Sequence, residues 1–203
     1  MSDGATETFE VERKYEVDEA AVLPGAAEFA VLGLVLEAAE AHSLLAGYFD
    51  TPKGELAARR FALRRRTGGK DAGWHLKAKG DDGARELMWP PSEEMPTGLR
   101  DEVERLLGDE SAGRLGAIAT LRTQRVTAML LNASGEPVIE LADDRVDASN
   151  ELSGRRQQWR EWEAELMPGA DEALLDLVEP LLTAAGAARV RGTSKIQRTM
   201  SEG

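Results

Sequence analysis

The chain has 203 residues, enough for one domain with a sizeable core, and carries 37 acidic against 25 basic residues for a formal net charge of −12. That balance argues against a nucleic-acid partner, which needs a basic face, and against an anionic membrane surface. There is no cysteine, which excludes disulfides and thiolate zinc sites and fits a reducing, cytoplasmic setting.

Residues 1–7 are polar and acidic, lack the basic and apolar regions of a secretory leader, and are expected to be flexible. No later apolar run is long enough to span a bilayer. A strand is expected from Thr8 to Val17, then a weak helical stretch from Asp18, broken at Pro24-Gly25 and restarting near Ala26 to Leu32. Val35 to Glu40 and Ser43 to Asp50 read as strands, followed by a turn at Thr51-Pro52-Lys53-Gly54. Phe61 to Thr67 and Trp74 to Lys79 read as a hairpin around a glycine-rich loop, Gly68 to Gly73. Ala84 to Trp89 is a further strand, stopped by Pro90-Pro91. Thr97 is expected to cap a helix to about Leu107, with Leu99, Val103, Leu106 and Leu107 on one face. Ala119 to Leu131, Pro137 to Val146 and Gln157 to Leu166 form a three-strand meander. Asp171 opens a helix to about Ala185, with Gly186 as its stop. A short tail carries Ser194-Lys195-Ile196-Gln197-Arg198. About eight strands with closely spaced hairpins predict an α+β fold in a single domain spanning 1–203: a closed antiparallel barrel with helices outside.

Strand alternation makes the charges informative. Glu10, Glu12 and Lys14 share one face of the first strand. Alone, that is what a solvated edge strand shows. The pattern recurs at Arg64 and Arg66, at Lys77 and Lys79, and at Glu161, Glu163 and Glu165. Several strands with one charged face each, of both signs, suggest a sheet curled around a polar interior. Glu10 and Glu12 with Glu163, Glu165 and Asp144 offer the hard oxygens that magnesium or manganese prefers. Lys14, Arg64, Arg66, Lys77, Arg125 and Lys195, on five separate segments, form a basic set. A unit charge pair at 4 Å is worth about 4 kcal/mol at an effective dielectric near 20, so six clustered cations need a counter-charge. A bound polyanion supplies it; ordinary surface ion pairs are the alternative. Arg65 should point outward, and Trp74 and Trp162 should lie in the core. His75 shares the face of Lys77 and is a candidate substrate contact.

Glu10-Val11-Glu12-Arg13-Lys14 resembles the Glu-x-Glu-x-Lys signature of the CYTH superfamily, the triphosphate tunnel metalloenzymes. Tyr48-Phe49-Asp50-Thr51, Leu63-Arg64-Arg65-Arg66, Gly73-Trp74-His75-Leu76-Lys77, Arg85-Glu86-Leu87, Thr123-Gln124-Arg125, Asp143-Asp144-Arg145-Val146, Glu163-Ala164-Glu165-Leu166 and Ser194-Lys195-Ile196-Gln197-Arg198 follow in family order. The resemblance implies an eight-stranded antiparallel barrel forming a tunnel and an enzyme acting on triphosphates with Mg2+ or Mn2+. It implies that Lys14, Arg64, Arg66, Lys77, Arg125 and Lys195 grip the substrate, and that Glu10, Glu12, Asp144, Glu163 and Glu165 hold metal. A second metal, or Glu10 acting as catalytic base beside Lys14, would activate water. Many bacterial members continue into a histidine-rich helical module, the CHAD domain; this chain runs only just past Arg198 and has two histidines, so that module is expected to be absent. The leading expectation is an inorganic triphosphatase cleaving tripolyphosphate to pyrophosphate and phosphate. Thiamine triphosphatase, nucleoside triphosphatase and class IV-type adenylate cyclase compete, as does a polyphosphate- or nucleotide-binding protein without catalysis. The expected partner is a small-molecule triphosphate, with no nucleic acid or membrane, and a monomer or homodimer.

Overall fold

The computed structural model describes residues 4–201. In chain order the elements are β1 (Thr6–Glu10), β2 (Glu12–Glu16), α1 (Ala26–Val31), β3 (Val35–Leu36), β4 (Glu40–Asp50), α2 (Glu55–Ala58), β5 (Phe61–Thr67), β6 (Gly73–Lys79), β7 (Ala84–Trp89), α3 (Thr97–Leu107), α4 (Asp109–Ala112), β8 (Gly116–Leu131), β9 (Pro137–Asn150), β10 (Arg156–Leu166), α5 (Ala173–Ala184), β11 (Ala188–Val190) and α6 (Lys195–Met200). Of the segment 1–7 expected to be flexible, residues 1–3 lie outside the described residues, and Thr6 and Glu7 already belong to β1. Among the described residues, no helix is long and apolar enough to cross a membrane.

All pairings are antiparallel, in the order β1-β7-β6-β5-β4-β8-β9-β10-β2-β11, with β3 on β8. The ladders therefore form one open sheet of eleven strands, not the closed eight-stranded barrel expected. The difference begins at Val11, which interrupts the first strand. Its first half pairs with β7 and its second half with β10, so one continuous segment supplies strands near both ends of the order. Two shorter corrections follow. Thr97 is the first residue of α3 rather than its cap, because Pro96 precedes it in the N-cap position. The tail expected after Gly186 contains β11 and α6.

The sheet has two unlike faces. Tyr15, Leu130, Ile139, Leu141, Trp162 and Ala164 pack against Leu175, Val178 and Leu182 of α5 and Phe29 of α1. Leu63, Trp74, Leu76, Leu87 and Trp89 pack against Leu56 of α2 and Leu99 and Val103 of α3. Each buried side chain of this size contributes about 1.5–3 kcal/mol. Arg13 leaves the same face to reach Asp176 and Glu179 of α5, both at 2.5 Å. Trp74 and Trp162 thus lie under helices, as alternation predicts. Arg65, in step with Leu63, also points to this side, where β5 and β6 set it opposite Trp74.

The opposite face carries the charges, and these are largely buried although α6 is the only helix against it among the described residues. The sheet therefore curls around them: Lys77 of β6 reaches Glu12 of β2, near the far end of the strand order. One end of this face is apolar. Ala46, Tyr48, Ala119, Leu121, Val146, Ala148 and Trp159 pack there with Ile196 and Met200 of α6. Ser194 begins α6 with a reciprocal cap: its Oγ accepts from Gln197 N at 3.3 Å, and Gln197 Oε1 accepts from Ser194 N at 2.9 Å.

Candidate functional site

Antiparallel register places the charged residues opposite one another. Glu163 faces Lys14 and Glu165 faces Glu12 across β10–β2. Arg125, Asp144 and Glu161 lie abreast on β8, β9 and β10. Tyr48, Arg64 and His75 lie abreast on β4, β5 and β6, and Lys77 faces Glu86 of β7. Strand periodicity turns each of these toward the curled face.

One continuous ion-pair network joins Glu10, Glu12, Lys14, Lys77, Arg125, Asp144, Glu161, Glu163 and Lys195, with Arg64–Glu86 and Arg66–Asp71 as separate pairs beside it. Asp144, fully buried, accepts from Arg125 twice, Nε to Oδ1 at 2.7 Å and Nη2 to Oδ2 at 2.6 Å. Arg125 Nη2 also donates to Glu163 Oε2 at 2.6 Å. Lys195, delivered by α6, lies 2.9 Å from Asp144, 2.6 Å from Glu161 and 2.8 Å from Glu163. Lys14 pairs with Glu163 and, at 2.9 Å, with Glu12. Lys77 continues the chain to Glu10 at 2.5 Å and Glu12 at 3.3 Å. Arg64 donates to Glu86 Oε1 at 3.2 Å, and Arg66 pairs with Asp71 of the β5–β6 loop. That loop comes close to β4 through Gly68, whose φ is +79° and where a Cβ would stand 2.1 Å from the Ser43 carbonyl oxygen, so only glycine fits. All eleven residues singled out from sequence sit on this face, ten of them directly ion-paired.

The eleventh is Glu165. Burial and the negative charges of Glu10, Glu12 and Glu163 push its carboxyl up to about 7. Burial also raises Glu10, against the pull of Lys77. Burial opposes ionisation of Glu163 as well, but Lys14, Lys195 and Arg125 outweigh it and hold that carboxyl well below the ordinary range. The site is thus polarised. Cations and ionised acids alternate around Asp144 and Glu163, and surplus negative charge collects around Glu165. A raised carboxyl binds its proton more tightly folded than unfolded. Its contribution to stability is complete below about pH 4.5 and disappears as pH rises through about 7. In chelator-treated protein, Glu165→Gln is therefore expected to raise the melting temperature at pH 8 and to leave it nearly unchanged at pH 4.5. A thermal-melt series over that range checks this, and equal effects at both ends would refute it.

Oxygens of Asp144, Glu161 and Glu163 lie within 4.8 Å of one another, a separation one ion could bridge. They are hard donors suited to magnesium or manganese. Glu161 was not among the metal candidates from sequence, although it shares their face; its other oxygen accepts from Trp159 Nε1 at 2.5 Å. Glu10, Glu12 and Glu165 form a second carboxylate group. Sequence reasoning also missed Glu86, buried at 4% exposure. Its signal was an acid in step with Ala84 and Met88 on an otherwise apolar strand face.

Six cations (Lys14, Arg64, Arg66, Lys77, Arg125, Lys195) therefore face seven carboxylates (Glu10, Glu12, Glu86, Asp144, Glu161, Glu163, Glu165) in one enclosed space. The positive members can grip an anion only by leaving carboxylates behind, and those carboxylates then need another positive charge. Electrostatics favours an anion arriving together with divalent cations.

The profile of the CYTH domain matches residues 8–200. Two uncharacterized proteins of Mycobacterium tuberculosis, from different strains, are 37% identical over 208 aligned residues, covering 94% of this chain and 40% of each relative. The chain thus spans about two fifths of the length of the curated relatives it matches. Among solved structures, a candidate adenylate cyclase from Bacillus halodurans superposes with a TM-score of 0.63 at 21% identity, covering 96% of this chain and 99% of its own. A candidate adenylyl cyclase from Hippeastrum, described as having a dominant triphosphatase activity, superposes with a TM-score of 0.54 at 19% identity, covering 94% and 95%. These likenesses show the fold.

Proposed function

The chain belongs to the CYTH domain family, and from that premise we propose that it is a divalent-metal-dependent hydrolase of triphosphates, acting on inorganic tripolyphosphate to give pyrophosphate and phosphate. The observation that carries this reading is the convergence of six cations from five segments with seven carboxylates inside a protein of net charge −12. Two buried donors, Arg64 Nε and Arg66 Nε, have no hydrogen-bond partner, which fits an awaited phosphoryl oxygen. The apolar layer formed with α6 covers one end of the charged face, and among the described residues no base-stacking set is evident beside it, so a compact substrate fits best. In this reading the split strand β1–β2 brings the two edges of the sheet together and makes the curled face a tunnel.

Asp144, Glu161 and Glu163, with Glu10, Glu12 and Glu165 beyond them, would hold the divalent ions. A bound ion supplies neutralisation of charge on the transferring phosphoryl group. Lys14, Lys77, Arg64, Arg66, Arg125 and Lys195 bind and orient the triphosphate oxygens, so catalysis rests on positioning and electrostatics, without a protein nucleophile. Glu10, its carboxyl raised by burial, would accept the proton of the attacking water in this reading.

The test is phosphate release from tripolyphosphate, thiamine triphosphate and ATP with magnesium, manganese or chelator, with cyclic AMP measured in parallel. Metal-dependent release, fastest from tripolyphosphate, supports the reading. Cyclic AMP from ATP would make it a cyclase, and tight binding without turnover a capture protein. Within the site, Arg64→Ala and Arg66→Ala should each weaken triphosphate binding by about 1.5–3 kcal/mol, the worth of a hydrogen bond to a charged group, and Arg65→Ala far less. Calorimetric titration distinguishes these, and equal losses from all three would contradict the facing of β5.

A further inference from the structure

We propose that His75 is a positioning residue for Arg64 and Arg66, limiting the approach of Glu86 and anchoring the loop that carries Asp71 so that the two guanidiniums stay available to a phosphoryl group. The proposal rests on the triphosphate reading above and assigns a role to a residue that reading does not use.

His75 is fully buried and stands directly opposite Arg64 in the β5–β6 ladder. Its Nε2 lies 2.9 Å from the main-chain oxygen of Asp71. A carbonyl only accepts, so Nε2 carries the hydrogen and donates it. That bond ties down the 68–72 loop, in which Gly68 and Gly69 both take the left-handed region at φ +79° and +76°. The carboxylate of the same Asp71 is the partner of Arg66. On its other side, His75 Nδ1, an acceptor in this tautomer, lies 3.3 Å from Glu86 Oε1, the oxygen that accepts from Arg64 at 3.2 Å, and so limits how far that carboxylate can move toward the ring. Nδ1 makes no well-formed hydrogen bond, and neither does Nε of Arg64 or of Arg66. Three buried polar atoms thus meet in one corner, two of them guanidinium donors open to a phosphoryl oxygen.

The imidazole sits at the junction of two arms, His75–Glu86–Arg64 and His75–Asp71–Arg66. It faces Arg64 and Arg66 from β5, Glu86 from β7 and the Asp71 carbonyl from the loop. Without it, Glu86 is free to close fully onto Arg64, and the loop no longer sets where Asp71 meets Arg66. Each change ties up or misplaces a guanidinium. Both changes act on substrate binding and leave the carboxylates around Asp144 and Glu163 untouched.

The experiment compares His75→Phe, His75→Asn and His75→Gln by steady-state hydrolysis of tripolyphosphate, by its binding in the presence of calcium, and by melting temperature. Phe removes both polar arms, and Asn is too short to reach Asp71. For both, KM and the dissociation constant should rise about tenfold with kcat within about twofold, the equivalent of one lost charge-assisted hydrogen bond. Gln can reach the Asp71 carbonyl and should stay within about threefold of the parent, since it restores one of the two arms. In an Arg64→Ala, Arg66→Ala background the His75→Phe penalty should vanish, because the residues it acts through are gone. An unchanged KM in His75→Asn, no rescue by Gln, or the same penalty in the arginine-free background would overturn the proposal. If His75→Phe fails to fold, the Asn–Gln comparison decides. A parent protein that neither binds nor hydrolyses tripolyphosphate would instead overturn the triphosphate reading itself.

Discussion

Glu163→Gln is expected to destabilise the ligand-free protein by about 3–5 kcal/mol, the range for removing one partner of a buried ion pair. Glu163 is the hub of the network: 6% exposed, it meets Lys14, Arg125 and Lys195 at once. A neutral amide leaves three cations in a shared, largely dehydrated space. Lys195 retains Asp144 and Glu161, and Arg125 retains Asp144, but Lys14 keeps only Glu12. At about 2–4 °C per kcal/mol for a domain of this size, the melting temperature should fall by roughly 10 °C. Because the Glu163 carboxyl is held well below the ordinary range, its stabilising contribution is present through neutral pH and lost only in strong acid. The deficit of Glu163→Gln should therefore be flat from pH 6 to 8, where Glu165→Gln has a sloping effect. Metal-dependent turnover should collapse together with stability. A variant that melts within 2 °C of the parent and keeps its rate would show that neither the network nor the proposed metal set depends on this residue.

The second large effect is ligand stabilisation. Tripolyphosphate with calcium, provided calcium binds without supporting turnover, should raise the melting temperature by roughly 5–10 °C at about 100 times its dissociation constant. That is about 2.7 kcal/mol from mass action at about 2–4 °C per kcal/mol. The cations lie spread over β2, β5, β6, β8 and α6, so a longer anion engages more of them at once. Pyrophosphate should shift the transition less, and monophosphate hardly at all. Anion without divalent ion should do little, because cations withdrawn from the carboxylates leave them uncompensated. Equal shifts for monophosphate and tripolyphosphate would reduce the site to a generic anion pocket.

Local periodicity explains why much of the site was legible in the chain. Side-chain facing in a strand depends only on parity, so Glu10, Glu12 and Lys14, like Arg64 and Arg66 against Arg65, could be assigned to a face before any partner was known. For the same reason Phe61–Thr67, Ala84–Trp89 and Thr97–Leu107 fall where glycine, proline and apolar spacing put them. The capping pair Ser194 and Gln197 was present too, but six residues of helix give too little periodicity to stand out without it.

What the sequence determined by itself, then, was which residues share a face, the antiparallel α+β character and eleven of the thirteen residues of the charged set. The tertiary structure decided which charges meet. Glu86 belongs to the site because β6–β7 register sets it opposite Lys77, Glu161 because it lies abreast of Asp144, and Lys195 because α6 folds back against the curled sheet. The break at Val11, which sends one segment to two distant strands and leaves the ladder order open, was decided there as well. Parity is carried by consecutive peptide units. Register, closure and burial of charge arise between segments far apart in the chain, through sheet twist and the competition of many partners for the same ions.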